Sequence, residues 1–260
     1  MHTGVIIVAG GSGRRVGGSI PKQFRLLGGM PVLARTINRF AEALPGAEIV
    51  VVLPGEHIAF WRDLAARFDV AKHSVAAGGS ERFHSVKHGI DALKSDPELI
   101  AVQDGVRPLA TPEMIRGVVR CAELYGAAIP VVEPVDSFRE TEAAAGKEGE
   151  DGNGNGSGAG DDAASAAAGS HIVDRRRLRI VQTPQVFRAE WLREAYALPY
   201  RETFTDDASV VEAARHVIWL APGERENIKL TTPADFVIAE ALIAAREEAE
   251  NECPDDTKHL

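Results

Sequence analysis

Short β-branched runs alternate with helix-period segments along this 260-residue chain, and that alternation limits the fold more than any other feature. The first run is Val5, Ile6, Ile7 and Val8, of the kind found in the centre of a parallel sheet. Residues 31–44 then carry Val32, Leu33, Ile37 and Phe40 at helical spacing behind Pro31. A strand at 49–53, a helix at 57–68, a short strand at 74–77 and a helix at 81–93 follow. The strand expected at 99–102 ends in Gln103-Asp104-Gly105, and residues 112–125 read as a helix with Thr111 as N-cap. With a strand at 127–132, the pattern predicts an α/β fold: a doubly wound, mostly parallel sheet with its chemistry at the strands' carboxyl ends.

The alternation stops at residues 143–170, where 8 of 28 residues are Gly, 9 are Ala and none is large and apolar. Such a segment cannot bury enough surface to offset its ordering entropy, so it reads as a disordered insert. Its flanks, 135–141 and 172–181, are strand-like and form the legs of a protruding β-hairpin arm, about 135–181, of the kind that packs on a partner. Helices near 189–197 and 206–214, a strand at 217–221 and a last helix from Pro233 to about Glu248 complete the chain, with a polar, frayed tail at about 248–260. The expected organisation is one domain over residues 1–260.

Composition narrows the function classes. No n-region, h-region or cleavage site opens the chain, and no apolar stretch approaches 18 residues, so secretion and membrane insertion are not expected and the cytoplasm is the default location. Cys121 and Cys253 show no CxxC spacing, which argues against a disulfide framework or zinc site, and Cys121 sits in an apolar helical pattern. A net charge of −9 without a basic stripe argues against nucleic acid as partner.

The positive charge is local. Residues 1–41 contain no Asp or Glu but carry Arg14, Arg15, Lys22, Arg25, Arg35 and Arg39. Within that stretch Gly10, Gly11 and Gly13 follow the first strand, and glycines let backbone N–H groups approach phosphate oxygens. A Walker A loop is excluded because Ser19, not Lys, follows Gly18. A dinucleotide fingerprint fails because Gly17 falls one residue late and no acidic residue ends a second strand about twenty positions on. The glycines alone are equally compatible with a plain strand-to-helix turn; the two arginines and Pro21-Lys22 favour a triphosphate.

Five more segments fall at expected strand ends or the loops after them. Gly78-Gly79-Ser80-Glu81-Arg82 with Ser85 opens a helix and turns N–H groups and hydroxyls toward a ligand, or simply caps that helix. Asp104-Gly105-Val106-Arg107 sets a carboxylate beside an arginine, suited to a cation bridging phosphates, although an isolated pair of this kind is more often a surface ion pair. Val135-Asp136-Ser137 starts the arm, and Asp174-Arg175 with Gln182-Thr183-Pro184-Gln185 ends it; the run Arg175-Arg176-Arg177 also reads as a solvated face. Thr205 to Ser209 caps a helix, and Asn227-Ile228-Lys229 leads into the last one, where Lys229 also reads as an edge charge.

The blocks AGGSGRRVGGSIPKQF, GGSERFHSV, QDGVRP, QTPQVF, TDDASVVEA and ENIKLTTPADF together resemble the 2-C-methyl-D-erythritol 4-phosphate cytidylyltransferase family, from about residue 5 to 244 outside the insert. The resemblance implies a Rossmann-like sheet, transfer of CMP from CTP to methylerythritol phosphate with Mg²⁺ and release of pyrophosphate in the non-mevalonate isoprenoid route, and a homodimer built through the arm. It implies catalytic roles for Arg15, Lys22, Arg175 and Lys229. CTP would lie against Ala9, Gly10, Gly11, Ser12, Gly13, Gly79, Ser85, Asp104 and Gly105, with Asp104 on the metal. Arg107, Ser137, Arg175, Thr183, Thr205 and Lys229 would hold the acceptor, Arg175 reaching across the dimer. The chain departs from the family at Gln103, where His is usual, at Val16 for Met, and at Asp136-Ser137-Phe138-Arg139 for Asp-Thr-x-Lys. The competing expectations are a ribitol 5-phosphate cytidylyltransferase and a non-catalytic nucleotide-binding regulator.

Overall fold

A computed structural model describes residues 2–10, 20–141 and 169–252, with side chains through 249. The chain divides into two compact units, Met1–Val132 with Val181–Leu260, and Glu133–Ile180.

In chain order, the elements of the larger unit begin with β1 (Thr3–Val8), the two-residue strands β2 (Leu26–Leu27) and β3 (Met30–Pro31), α1 (Val32–Ala43), β4 (Glu48–Leu53) and α2 (Ile58–Ala65). They continue with β5 (Ser74–Ala77), α3 (Arg82–Ala92), β6 (Leu99–Asp104), α4 (Pro112–Tyr125) and β7 (Ala127–Val132). The smaller unit carries β8 (Phe138–Thr141) and β9 (Ser170–Val173), and the chain returns through β10 (Ile180–Val181). The last elements are β11 (Gln185–Arg188), α5 (Ala189–Tyr196), α6 (Asp207–Ala213), β12 (Trp219–Pro222) and α7 (Pro233–Glu252).

The main sheet runs β5-β4-β1-β6-β11-β7, with β12 also on β7. β1 lies parallel between β4 and β6, Ile6 facing Val50 on one side and Val102 on the other. Its residues alternate between two cores: Val5 and Ile7 pack with α1 and α4, whereas Ile6 packs with residues of α3, α5 and α6. Burial on both faces explains the unbroken β-branched run, each fully buried Val or Ile contributing ~1.5–3 kcal/mol. A third cluster seats Phe236, Ala239 and Ile243 of α7 on Leu27, Val32 and Leu230.

The expected alternation holds, with one addition. β11 is antiparallel to both β6 and β7, filling the gap between them. Its four residues, QVFR, run straight into α5, so no turn signal separates strand from helix. Val186 and Phe187 nonetheless point to opposite cores, as pleating requires. α7 also continues to Glu252, beyond the expected end near Glu248.

α4 starts as its sequence indicates, with Thr111 Oγ1 accepting from Met114 N at 3.1 Å. It ends at Gly126, whose φ is +91°, and a Cβ there would run into the Trp191 ring. Gly126→Ala is therefore expected to lower stability by about 2 kcal/mol or more, through both backbone strain and the displaced indole. Thermal unfolding checks this; a midpoint equal to wild type would contradict it.

In the smaller unit β8 and β9 pair antiparallel, Phe138 facing Val173 and Thr141 facing Ser170. The legs are shorter than the expected 135–141 and 172–181, because Asp174 accepts from Arg176 N and turns the chain at Arg175–Arg177. Residues 143–168 of the expected insert lie outside the described residues, as do 253–260.

Candidate active site

β1 is where the sheet's winding reverses, β4 following on one side and β6 on the other, and ligands in such sheets bind beyond the carboxyl ends at that point. A cleft of about 400 Å³ lies there. Val8, Ala9 and Gly10 at the end of β1, Lys22 and Gln23, the 78–82 loop, Ser85, Asp104 and Lys229 all line it.

Asp104 is the centre of charge. Its Oδ2 lies 3.0 Å from Lys229 Nζ and 3.4 Å from Arg107 Nε, while Oδ1 is 3.9 Å from Arg82 Nε. Burial alone would push this carboxyl up, but Lys229, Arg82 and Arg107 together outweigh it and hold it below the usual carboxylate range. The pair is thus an interior one rather than a surface ion pair, and Lys229 is no edge charge: its neighbour Leu230 is buried and its ammonium is on Asp104.

Backbone geometry fixes the carboxylate. Asp104 N donates to Thr183 Oγ1 at 3.1 Å, and Gly105 N donates to Val8 O at 2.8 Å. Gly105 is required by this approach, since a Cβ would sit 2.8 Å from that of Ala9. Arg107 Nη1 donates to Asn227 O at 2.8 Å, which holds the Lys229 loop beside Asp104. Gln103, standing where the family has His, donates from Nε2 to Arg107 O at 3.1 Å. On the facing loop, Ser85 Oγ accepts from Gly79 N and donates to Glu81 O, both at 3.1 Å, pinning the loop to the first turn of α3.

Ala9, Gly10, Lys22, Gly79, Ser85, Asp104 and Lys229 therefore come together around one cleft. Arg107 and Thr183 reach it through Asp104. Thr205 is exposed, one residue before the Asp206 cap of α6. Gly11, Ser12, Gly13 and Arg15 lie outside the described residues. Ser137 and Arg175 belong to the smaller unit, where Ser137 is exposed and Arg175 Nη1 donates to Val135 O.

Sequence reasoning gave no role to several residues that build the site. Arg82 lines the cleft and makes two bonds to Asp207, of 2.8 and 2.7 Å. Asp207 is fully buried and also accepts from Tyr196 Oη at 2.6 Å. Burial would make the Arg82 guanidinium easier to deprotonate, but Asp207 and Asp104 raise it above its ordinary range. The two partners are 125 positions apart, so no local spacing marks them. Gln185 joins two of the quoted blocks, donating to Asp206 Oδ2 and accepting from Ala208 N, both at 2.8 Å. Asn227 Nδ2 donates to Thr183 O at 2.9 Å.

A glycine-edged crevice at a switch point, with one ionised carboxylate among three cations, defines a nucleotide-binding α/β protein equipped for phosphate chemistry. The family model described as IspD, 2-C-methyl-D-erythritol 4-phosphate cytidylyltransferase, matches residues 3–152 and 161–245. The cytidylyltransferase of that name from Phocaeicola vulgatus is 44% identical over 244 residues, covering 94% of this chain and all of the relative. Its counterpart from Bacteroides thetaiotaomicron is 43% identical with the same coverage. Among solved structures, the Thermus thermophilus enzyme is 29% identical with a TM-score of 0.67, covering 94% of this chain and 100% of that one. A synthase from Anaerococcus prevotii shares the fold at 23% identity, with a TM-score of 0.71 over 94% of this chain and 98% of its own. The chain belongs to the 2-C-methyl-D-erythritol 4-phosphate cytidylyltransferase family, a family of nucleotidyltransferases of the isoprenoid pathway.

Proposed function

We propose that the Asp104 cleft carries out CMP transfer from CTP to the phosphate of 2-C-methyl-D-erythritol 4-phosphate. The observation that carries this reading is the convergence of Lys22, Lys229 and Arg82 with Asp104 on one cleft floored by Ala9 and Gly10. An acceptor phosphate oxygen attacks the α-phosphorus of CTP in line; the new P–O bond forms as the bond to the β-phosphate oxygen breaks, and pyrophosphate leaves. No side-chain nucleophile is needed, so the protein's work is positioning and charge stabilisation.

In this reading Lys22 and Arg15 face the α-phosphate and leaving pyrophosphate, and Lys229 spans both substrates' phosphates while anchored on Asp104. Ala9 to Gly13, Gly79, Ser85 and Gly105 line the CTP side. Arg107 and Thr183 set the acceptor's side of Asp104, Thr205 lies toward the acceptor, and Ser137 and Arg175 complete it from the arm, Arg175 across a homodimer. Each charge-assisted contact is worth about 1.5–3 kcal/mol.

Among the described residues no cluster of three or more His, Cys, Asp or Glu could hold a metal alone. The donor set fits Mg²⁺ nevertheless: Asp104 Oδ2 is bonded to Lys229 and Arg107, while Oδ1 lies 3.9 Å from Arg82 Nε. One carboxylate plus substrate phosphates is a usual magnesium environment. When bound, Mg²⁺ would neutralise phosphate charge as the leaving group departs. No described helix is long and apolar enough to cross a membrane, and the proposed place of work is the cytoplasm.

Incubation with CTP, Mg²⁺ and either methylerythritol phosphate or ribitol 5-phosphate tests the acceptor. Consumption of the first is expected; consumption of ribitol 5-phosphate alone would overturn the reading, and no pyrophosphate with either would favour a non-catalytic regulator.

A further inference from the structure

We propose that His73 and Trp61 are positioning residues for Lys22, acting through Phe24; this deepens the proposed site and rests on Lys22 as a contact of CTP. Lys22 stands on a single 3₁₀ turn, Lys22–Phe24, and that turn is held from two sides. Toward the sheet, Gln23 is buried and donates from Nε2 to Ala9 O at 3.0 Å, tying the turn to the end of β1. Away from it, the buried Phe24 ring enters an aromatic slot. His57 meets it edge-on at 5.7 Å, Phe60 is tilted at 5.2 Å, and Trp61 lies nearly parallel at 6.0 Å and 19°.

All three walls of that slot come from α2 and the turn before it. α2 has eight residues, and Trp61 is its one buried residue. The place of the slot, and of the turn that it grips, therefore depends on how Trp61 is anchored.

Trp61 is completely buried, and its one polar atom, Nε1, donates to His73 Nε2 at 3.0 Å. His73 Nδ1 is 2.8 Å from Ala71 O, so the proton sits on Nδ1 and the Nε2 lone pair is left to the indole. Ala71 N in turn donates to Asn38 Oδ1 at 2.8 Å, so His73 sits on a loop clamped to α1. α1 buries a full stripe in the core whereas α2 fully buries only Trp61, and the indole bond is a polar link from α2 to the loop held by α1. Removing its acceptor leaves a buried N–H unbonded, and Trp61 can regain a partner only by moving toward water. Trp61 is the one fully buried residue of α2, with Ile58, Leu64 and Ala65 only half-buried against the core, so that motion opens the slot and releases Phe24 and Lys22. A Trp61 that only filled space would affect stability without acting selectively on Lys22.

A double-mutant cycle on CTP binding separates these roles. Dissociation constants for CTP with Mg²⁺ are measured by titration calorimetry for wild type, Lys22→Ala, His73→Leu, His73→Gln and Lys22→Ala with His73→Leu. Lys22→Ala is expected to weaken CTP at least about tenfold and His73→Leu about fivefold. His73→Gln, whose amide oxygen can accept from the indole, is expected to stay within about twofold of wild type. In the Lys22→Ala background His73→Leu should add less than about twofold. Equal factors in both backgrounds, no effect of His73→Leu in wild type, or His73→Gln as weak as His73→Leu would overturn the proposal. If Lys22→Ala itself leaves CTP binding unchanged, the reading of the site fails instead. Should His73→Leu not fold, His73→Val removes the acceptor with a smaller side chain and leaves the indole N–H in place, and the same cycle and outcomes apply.

Discussion

Lys229→Ala is expected to lower kcat/KM for CMP transfer by about 100- to 1000-fold, the loss typical of removing one donor aimed at developing charge. Lys229 Nζ is 3.0 Å from Asp104 Oδ2, yet 45% of its side chain is exposed, so the carboxylate anchors an ammonium that still faces the cleft. That exposure also predicts little loss of stability, within about 1 kcal/mol, because Asp104 keeps Arg107 and Arg82 nearby. Lys229→Arg is expected to recover little activity: a planar fork tied to a carboxylate cannot also serve as a compact point charge. Steady-state kinetics with thermal unfolding as control check this. A fall of less than about tenfold would mean that Lys229 only balances the charge of Asp104.

Asp207→Ala is expected to cost about 3 kcal/mol of stability, the loss typical of removing one partner of an interior ion pair. For a chain of this length that is a fall of roughly 6–12 °C in melting temperature. Asp207 is fully buried, takes both nitrogens of the Arg82 fork and accepts the Tyr196 hydroxyl. Its loss strands a cation and a buried donor together. It also frees Arg82 from its place 3.9 Å from Asp104, so activity should fall as well. Adding Arg82→Met should restore part of the stability, by removing the stranded charge, and none of the activity. A single variant that melts within 2 °C of wild type would show that water already solvates the pair.

The order of elements is readable in the sequence because both signals behind it are local. β1 and β4 are buried on two faces and so are runs of β-branched residues, and α1 and α4 each bury one stripe against the sheet. β11 escapes such reading: a four-residue antiparallel insert fused to a helix shows neither period long enough to count. At the site, Lys22, Ser85, Asp104 and Lys229 can be picked out because glycine loops and lone charges interrupt apolar runs. Arg82 with Asp207, Gln23 with Ala9, and Trp61 with His73 cannot, since each pair means something only after the chain has folded. Gln185 and Asn227 are buried amides whose side chains bond to other segments, and Gln103 is buried with its amide on Arg107 O four residues on; single-sequence patterning treats such residues as surface.

The central claim is that the Asp104 cleft moves a nucleotidyl group, not a terminal phosphoryl group. Phosphorus-31 NMR of the protein with CTP, Mg²⁺ and methylerythritol phosphate tests it directly. Coupled diphosphate resonances of a cytidyl diphosphate ester, together with one equivalent of pyrophosphate, are the predicted result. Appearance of CDP with a newly phosphorylated acceptor, or CTP left intact, would contradict it.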